Sequence, residues 1–321
     1  MPTRRAALGA AAALLAAPAL RAQPAWPMRP LRIIVTYPPG GVTDITARLV
    51  AEPLAQRLGQ PVLVENRPGA GGNIGVQAAM AAEPDGYTLL LGTAATHGVN
   101  PVLYAASGVD PVRDFACIGT IADMPNVLSV NPQVLDVASV ASLVAEARRR
   151  PLSYASVGNG SSSHFCAAMF LRAAGIEATH VPYRGSAPAI AALRGGEVAF
   201  LFDTTATSTM QIRAGAFRAL AVTAAHRSAA LPDVPTLIEA GLPGYDIAVW
   251  NALCLHRRAP AAVLARLREA FAAAMAPPMD DRLRGAFVEP LRIPAAELDA
   301  WQAADQAKWM RMTRELNMAV D

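Results

Sequence analysis

Arginine supplies all but one of the 28 basic residues, the exception being Lys308, and these residues form no basic stripe in the chain beyond residue 22. The arginine bias is compositional. The missing basic stripe removes the electrostatic footprint of a nucleic-acid binder, and no nucleic-acid partner is expected. Cysteine is scarce: Cys117, Cys166 and Cys254 lie far apart in sequence and no CxxC occurs. A disulfide framework is excluded; at most one bridge forms, one thiol stays free, and buried apolar cysteines are expected. The five histidines make no HxxxH or HExxH spacing, so neither a metal site nor any other cofactor is expected. No loop ends in GK[ST]. Gly69-Ala70-Gly71-Gly72-Asn73-Ile74-Gly75 fails as a dinucleotide fingerprint because Ile74 stands where GxGxxG needs glycine. No GxSxG elbow supplies an activated serine, which leaves a secreted hydrolase without a nucleophile. His164, after a run of serines, reads as a helix cap or structural hydrogen bonder rather than a base.

Charged residues make up 17% of the 321 and hydrophobic residues 53%, which excludes a disordered chain and supplies a large core for one or two α/β domains. The first segment stands apart from that core. Arg4 and Arg5 precede an Ala/Leu-rich run from Ala6 to Leu20, followed by small residues with a cut expected after Ala22. This is the order of a signal peptide, and the apolar run is shorter than the ~20 residues of a spanning helix. Thr3-Arg4-Arg5 also resembles a twin-arginine signal, so the general secretory and twin-arginine routes both stay open; no cysteine at the cut marks a lipoprotein. Removing residues 1–22 with their three arginines takes the formal net charge from +3 to zero.

The remainder alternates strand, loop and helix. Arg32-Ile33-Ile34-Val35-Thr36 reads as a buried strand. A helix follows, with Thr43 or Asp44 as cap, with Ala47, Val50, Ala51, Leu54 and Leu58 on one face, an Asp44–Arg48 pair, a kink at Pro53 and a stop at Gly59. Strands are expected at 62–65, 87–91, 126–130, 153–157, 179–183, 198–202 and 218–223. Helices are expected at 74–82, 137–149, 165–173, 187–194 and 260–275, with a last one starting at Pro294. This alternation predicts parallel sheets with helices on both faces.

Four polar or glycine-rich loops follow predicted strands: Tyr37 to Asp44, Gly92 to His97, Gly158 to His164, and Asp203 to Thr205. Ligands of open parallel sheets bind beyond the carboxyl ends of the strands. Glycine permits close backbone approach, and a loop entering a helix offers unpaired N–H groups that suit an anion. Thr93, Thr96, Ser161 and Ser162 add hydroxyl donors, so two loops in each half can grip both ends of a small dianion.

Six ordered blocks carry a resemblance. They are Tyr37-Pro38-Pro39-Gly40-Gly41-Val42-Thr43-Asp44 with Arg48, Glu65-Asn66-Arg67-Pro68-Gly69-Ala70-Gly71-Gly72-Asn73, and Asp85-Gly86-Tyr87-Thr88-Leu89-Leu90. The others are Tyr154-Ala155-Ser156 through His164, His180-Val181-Pro182-Tyr183-Arg184-Gly185-Ser186, and Leu231-Pro232-Asp233-Val234-Pro235-Thr236. From about Pro30 to the C-terminus the chain resembles the Bug receptors, the solute-binding components of tripartite tricarboxylate transporters. The resemblance implies a periplasmic-binding-protein fold of type II, with two doubly wound α/β lobes joined by two crossing strands and a ligand cleft between them. It divides the chain into signal peptide 1–22, lobe 1 at 23–122 plus 247–321, and lobe 2 at 123–246. It implies a periplasmic monomer that captures a small carboxylate and delivers it to membrane permease subunits; a ligand-dependent partner of a sensor kinase is the alternative. The ligand-binding residues it implies are Tyr37, Pro38, Gly40, Gly41 and Asp44 in the first loop, and Thr93, Ala94 and Thr96 in the second. In the other lobe they are Gly158, Asn159, Ser161, Ser162 and His164, with Asp203 and Thr204 at the cleft edge, where an acid suits an ammonium. Two departures stand out. Ala168 replaces the family's acid, and the segment Trp250 to Pro260 carries His256-Arg257-Arg258, read as a solvated turn, in place of a Pro/Gly turn.

Overall fold

The computed structural model describes residues 26–316, so the signal-peptide reading of residues 1–22 lies outside it. Among the described residues no helix is long and apolar enough to cross a membrane.

Two curled sheets share one long strand. In the first, β1 (Leu31–Val35), β2 (Val62–Asn66) and β3 (Thr88–Thr93) run parallel in the order β2-β1-β3. The strand β4 (Phe115–Val130) belongs to both sheets. In the second sheet, β5 (Ser153–Ser156) lies parallel between β6 (Thr179–Pro182) and β7 (Phe200–Thr204). From Asn126 to Val130, β4 pairs with β7 on one side and with β8 (Arg218–Val222) on the other. The return strand β9 (Ala248–His256) lies antiparallel between β3 and β4, pairing with β4 from Phe115↔His256 to Pro125↔Ala248. A two-residue β10 (Glu289–Pro290) closes that edge.

The strand sequences explain this arrangement. Leu31, Ile33, Ile34 and Val35 are at most 1% exposed, the apolar burial of a parallel strand covered on both faces, with only Arg32 exposed. The helix α1 (Val42–Leu58) lays Ala47, Val50, Ala51, Leu54 and Leu58 against that sheet. Each buried leucine contributes roughly 1.5–3 kcal/mol. The helix continues through Pro53 and ends at Gly59, whose φ of 69° closes it as a left-handed cap. The further helices of eight residues or more are α2 (Asn73–Met80), α3 (Val140–Arg149), α4 (Ser162–Ala174), α5 (Ser186–Gly195), α6 (Thr205–Arg213), α7 (Ala261–Ala274), α8 (Pro278–Gly285) and α9 (Leu298–Glu315). Ser139 and Ser142 form a capping box at the start of α3.

Several boundaries differ from the sequence expectation. The strand expected at 126–130 is the last five residues of the 16-residue β4. Burial on both faces removes the alternation that marks a strand, and Pro125 at the joint reads as a break. Helix α4 starts at Ser162 because Ser161 accepts the His164 N–H, so the serines expected in a loop form its first turn. Helix α1 is entered from Gly41, without a side-chain cap from Thr43 or Asp44. Strands β3 and β7 extend to Thr93 and Thr204, carrying loop residues into the sheet. The last helix begins at Leu298, after a turn in which the Glu297 N–H donates to the Pro294 carbonyl. Of the expected solvated turn, His256 is buried at the end of β9, while Arg257 and Arg258 are exposed.

Candidate functional site

A cleft of about 670 Å³, its open mouth included, lies where the carboxyl ends of β1, β3, β5, β6 and β7 converge. Each of these strands passes into a helical segment across the cleft wall. Tyr37, Pro38, Gly41 and Thr43 come from the β1–α1 joint, Thr93 and Ala94 from the end of β3, and Ser162 from the first turn of α4. Arg184, Gly185 and Ser186 come from the β6–α5 joint, and Asp203 and Thr204 from the end of β7. Met124 of β4 and Val249, Trp250 and Asn251 of β9 form the floor.

Three helices enter this cleft without a capping side chain: α1 from Gly41, α5 from Gly185 and α6 from Thr204. The orphan N–H groups of a helix start and the positive end of its dipole together favour an anion. Trp250 is fixed from behind by its Nε1 donating to Asp305 Oδ2 at 2.6 Å, and Asn251 by its Nδ2 donating to Thr46 Oγ1 at 2.6 Å.

Two charged side chains line the cleft. Arg184 is exposed and has no ion-pair partner among the described residues. Asp203 is 2% exposed. Its Oδ1 accepts from the Thr204 N–H at 2.8 Å and the Ser186 hydroxyl at 3.2 Å, while its Oδ2 is buried without a partner. Burial pushes this carboxyl up to about 6, against the lowering effect of the nearby Thr207 hydroxyl, the Thr204 N–H and the Ser186 hydroxyl. An unmet buried acceptor costs about 1–3 kcal/mol, a deficit that a ligand carrying a donor removes.

Other residues expected at the site lie outside the cleft lining. The Asp44 carboxylate is consumed by Arg48, by Asn66 Nδ2 and by the Gly40 N–H, and shapes the first loop from behind. The Thr96 hydroxyl pairs with Thr93, whose N–H it accepts at 3.0 Å. Ser161 caps α4 and donates to the Gly158 carbonyl. His164 Nδ1 accepts from the Gly160 N–H, and its ring stacks on His180 at 4.0 Å; burial first, then the His180 charge, lowers it to about 3. Gly158 and Asn159 belong to the rim where the lobes touch: a Cβ on Gly71 would stand 2.7 Å from the Asn159 carbonyl oxygen. The Gly71 carbonyl accepts from both Tyr37 and Asn100.

Sequence reasoning passed over Arg184 to Pro188 and the β9 floor. The first had a visible signal, a glycine between a strand and a helix. The floor residues sit mid-strand, where nothing in the sequence separates a cleft-facing side chain from a core one.

Residues 46–318 match the family model described as tripartite tricarboxylate transporter family receptor. BugT of Bordetella pertussis is 38% identical over 231 residues, 71% of this chain and 71% of that protein. The solved structure of Rpa4515 from R. palustris with adipate superposes with a TM-score of 0.86 at 36% identity, covering 92% of this chain and 99% of that one. MatC from Rhodopseudomonas palustris with bound malate gives 0.82 at 28% identity, covering 90% and 100%.

Proposed function

The chain belongs to the tripartite tricarboxylate transporter receptor family, a family of solute-binding receptors, and on that premise we propose that it captures a small carboxylate in the cleft and delivers it to the membrane permease subunits of such a transporter. The observation that carries the reading is the convergence of three uncapped helix starts, at Gly41, Gly185 and Thr204, on one cavity. They supply fixed donors for a carboxylate without a buried cation, so little free energy is lost to desolvating a charge on the protein. Thr93 and Ser162 add hydroxyls, and Arg184 at the mouth attracts an anion from solution. Asp203 Oδ2 takes a donor from the far end of the ligand, or gives its own proton to a second carboxylate. Adipate in Rpa4515 and malate in MatC support the size and charge of this ligand.

Delivery rests on closure. A ligand bridging the two sheets stabilises the closed jaw, which a permease distinguishes from the open one. The partner exchange of β4 at Pro125 and Asn126 supports lobe 1 at 23–122 plus 247–321 and lobe 2 at 123–246. Export follows from the signal-like residues 1–22, with the protein acting in the periplasm as a monomer. The experiment is a thermal-shift screen of the protein from Gln23 onward against mono-, di- and tricarboxylates and acidic amino acids, followed by calorimetry. At 100 times its dissociation constant a ligand adds about 2.7 kcal/mol to stability, a clear rise in Tm. Absence of a shift with every acid, in protein shown by mass spectrometry to carry no bound ligand, would overturn the carboxylate reading.

A further inference from the structure

Three thiols are present, all buried, and they are not equivalent. Cys166 sits alone in α4, with Asn126 Nδ2 3.4 Å from its sulfur, and burial pushes its thiol up to about 12. Cys117 on β4 and Cys254 on β9 are direct cross-strand partners in the antiparallel pair joining the two lobes. Directly opposed residues of such a pair have Cα atoms about 4.5–5.5 Å apart and side chains on the same face. A disulfide spans Cα separations of about 4.4–6.8 Å. The neighbouring Cys117 thiol first, then burial, holds the Cys254 thiol far up. His97 Nε2 lies 3.7 Å from the Cys254 sulfur, yet among the described residues no group of three or more ligands able to hold a metal forms here or elsewhere.

We propose that Cys117 and Cys254 form a disulfide when the chain folds under oxidising conditions, and that Cys166 stays a free thiol. The bridge joins strands whose pairing already exists, beside the register shift between Cys117 and Gly119. All of the second sheet except the shared strand β4 lies in sequence between the two cysteines, so the bridge ties off that lobe at its base. It sits on the first-lobe side of the Pro125↔Ala248 joint, away from the cleft lining, and therefore leaves closure free.

The oxidant is a low-molecular-weight or protein disulfide. A thiolate of one cysteine attacks it and expels one thiolate. The partner cysteine's thiolate then attacks the mixed disulfide and expels the second. Two protein thiols are oxidised to one disulfide, one oxidant disulfide is reduced to two thiols, and two protons pass between them. Because only thiolate reacts and both thiols are 0–1% exposed once folded, the exchange belongs to the folding chain rather than the finished structure.

The test is to refold the protein from denaturant with mixed oxidised and reduced glutathione, quench with acid, and count free thiols in denaturant while mapping linked peptides. One free thiol, at Cys166, and a Cys117–Cys254 linked peptide are expected. Cys166→Ala should leave none, and Cys254→Ser should leave two. The bridged sample should melt at a higher temperature than the same sample unfolded, reduced and refolded with reductant. Three free thiols after oxidative refolding to native secondary structure, or a bridge that includes Cys166, would overturn the assignment. Because no arm of this test depends on export or on ligand identity, its failure is separate from failure of the transport reading.

Discussion

A Cβ built on Gly185 would stand 3.2 Å from Cγ of Pro38, so the two walls of the cleft meet at a residue that has no side chain. Gly185 also holds a φ of +111°, which L side chains rarely adopt. Gly185→Ala should therefore weaken ligand binding by about tenfold, roughly 1.4 kcal/mol, by opposing closure. Gly215→Ala, at φ +72° with open space around it, is the control. It imposes backbone strain away from the cleft, and calorimetry should return the parent affinity. Equal losses in both variants would mean that strain, rather than the rim contact, governs binding.

Asp203 gives the cleft a pH dependence. Its carboxyl titrates near 6 because it is buried. Below that pH it is neutral and carries a proton to donate; above it, it repels a second carboxylate. A dicarboxylate without hydroxyl or amino groups should bind several-fold more tightly at pH 5.5 than at pH 7.5, with proton uptake detectable by calorimetry in buffers of different ionisation enthalpy. Asp203→Asn should flatten that profile. A parent profile already flat across this range would remove Asp203 from contact with the ligand.

Arg184 is exposed at the mouth, so its contribution is screened by solvent and salt. Arg184→Ala should lower affinity by no more than about fivefold, and the loss should shrink between 20 mM and 500 mM salt, the expected behaviour of a surface charge worth up to about 1 kcal/mol. A loss of a hundredfold that ignores salt would place the guanidinium inside the closed cleft.

His164 and His180 set the acid limit of the fold. Burial depresses them to about 3 and about 4, and it depresses His97 to about 4. The unfolded chain protonates these rings near 6.5 while the folded one does not. Their contribution is present above 6.5 and is lost progressively as pH falls towards 4. Tm should decline over that window, and His164→Gln should make the decline shallower. Asp203, with its raised value, works in the opposite direction between 6 and 4. An unchanged slope in His164→Gln would assign acid sensitivity to the carboxylate pairs instead.

The alternation of β-branched runs with Ala-rich helices was legible, and so were the buried face of α1, the Gly59 stop and the Asp44–Arg48 pair. Each depends on near neighbours in sequence. The length of β4 was not, because a strand buried on both faces loses the period-two pattern. Asp44 shows the difficulty at the site. A short acid at a helix start reads equally as ligand contact or scaffold, and Asn66, 22 residues away, is among the groups that occupy it. Asp203 was read from its place after a strand, but its empty oxygen depends on the packing of α5 and α6 around it. The floor at Met124, Trp250 and Asn251 comes from two strands brought together by the return of the chain, a long-range event with no local signature.

That return has a consequence for how such proteins diversify. Pro125 and Ala248 are partners across β4 and β9, so the chain leaves for the second lobe and comes back about one strand spacing, ~4.8 Å, apart. A segment whose two ends are neighbours is a cassette. It can be excised and replaced by the corresponding segment of a relative without moving the ends it is spliced to. Half of the jaw is then exchangeable in one recombination event, and new pairings of walls can be sampled while the uncapped entrance of α1 at Gly41 stays on the retained half.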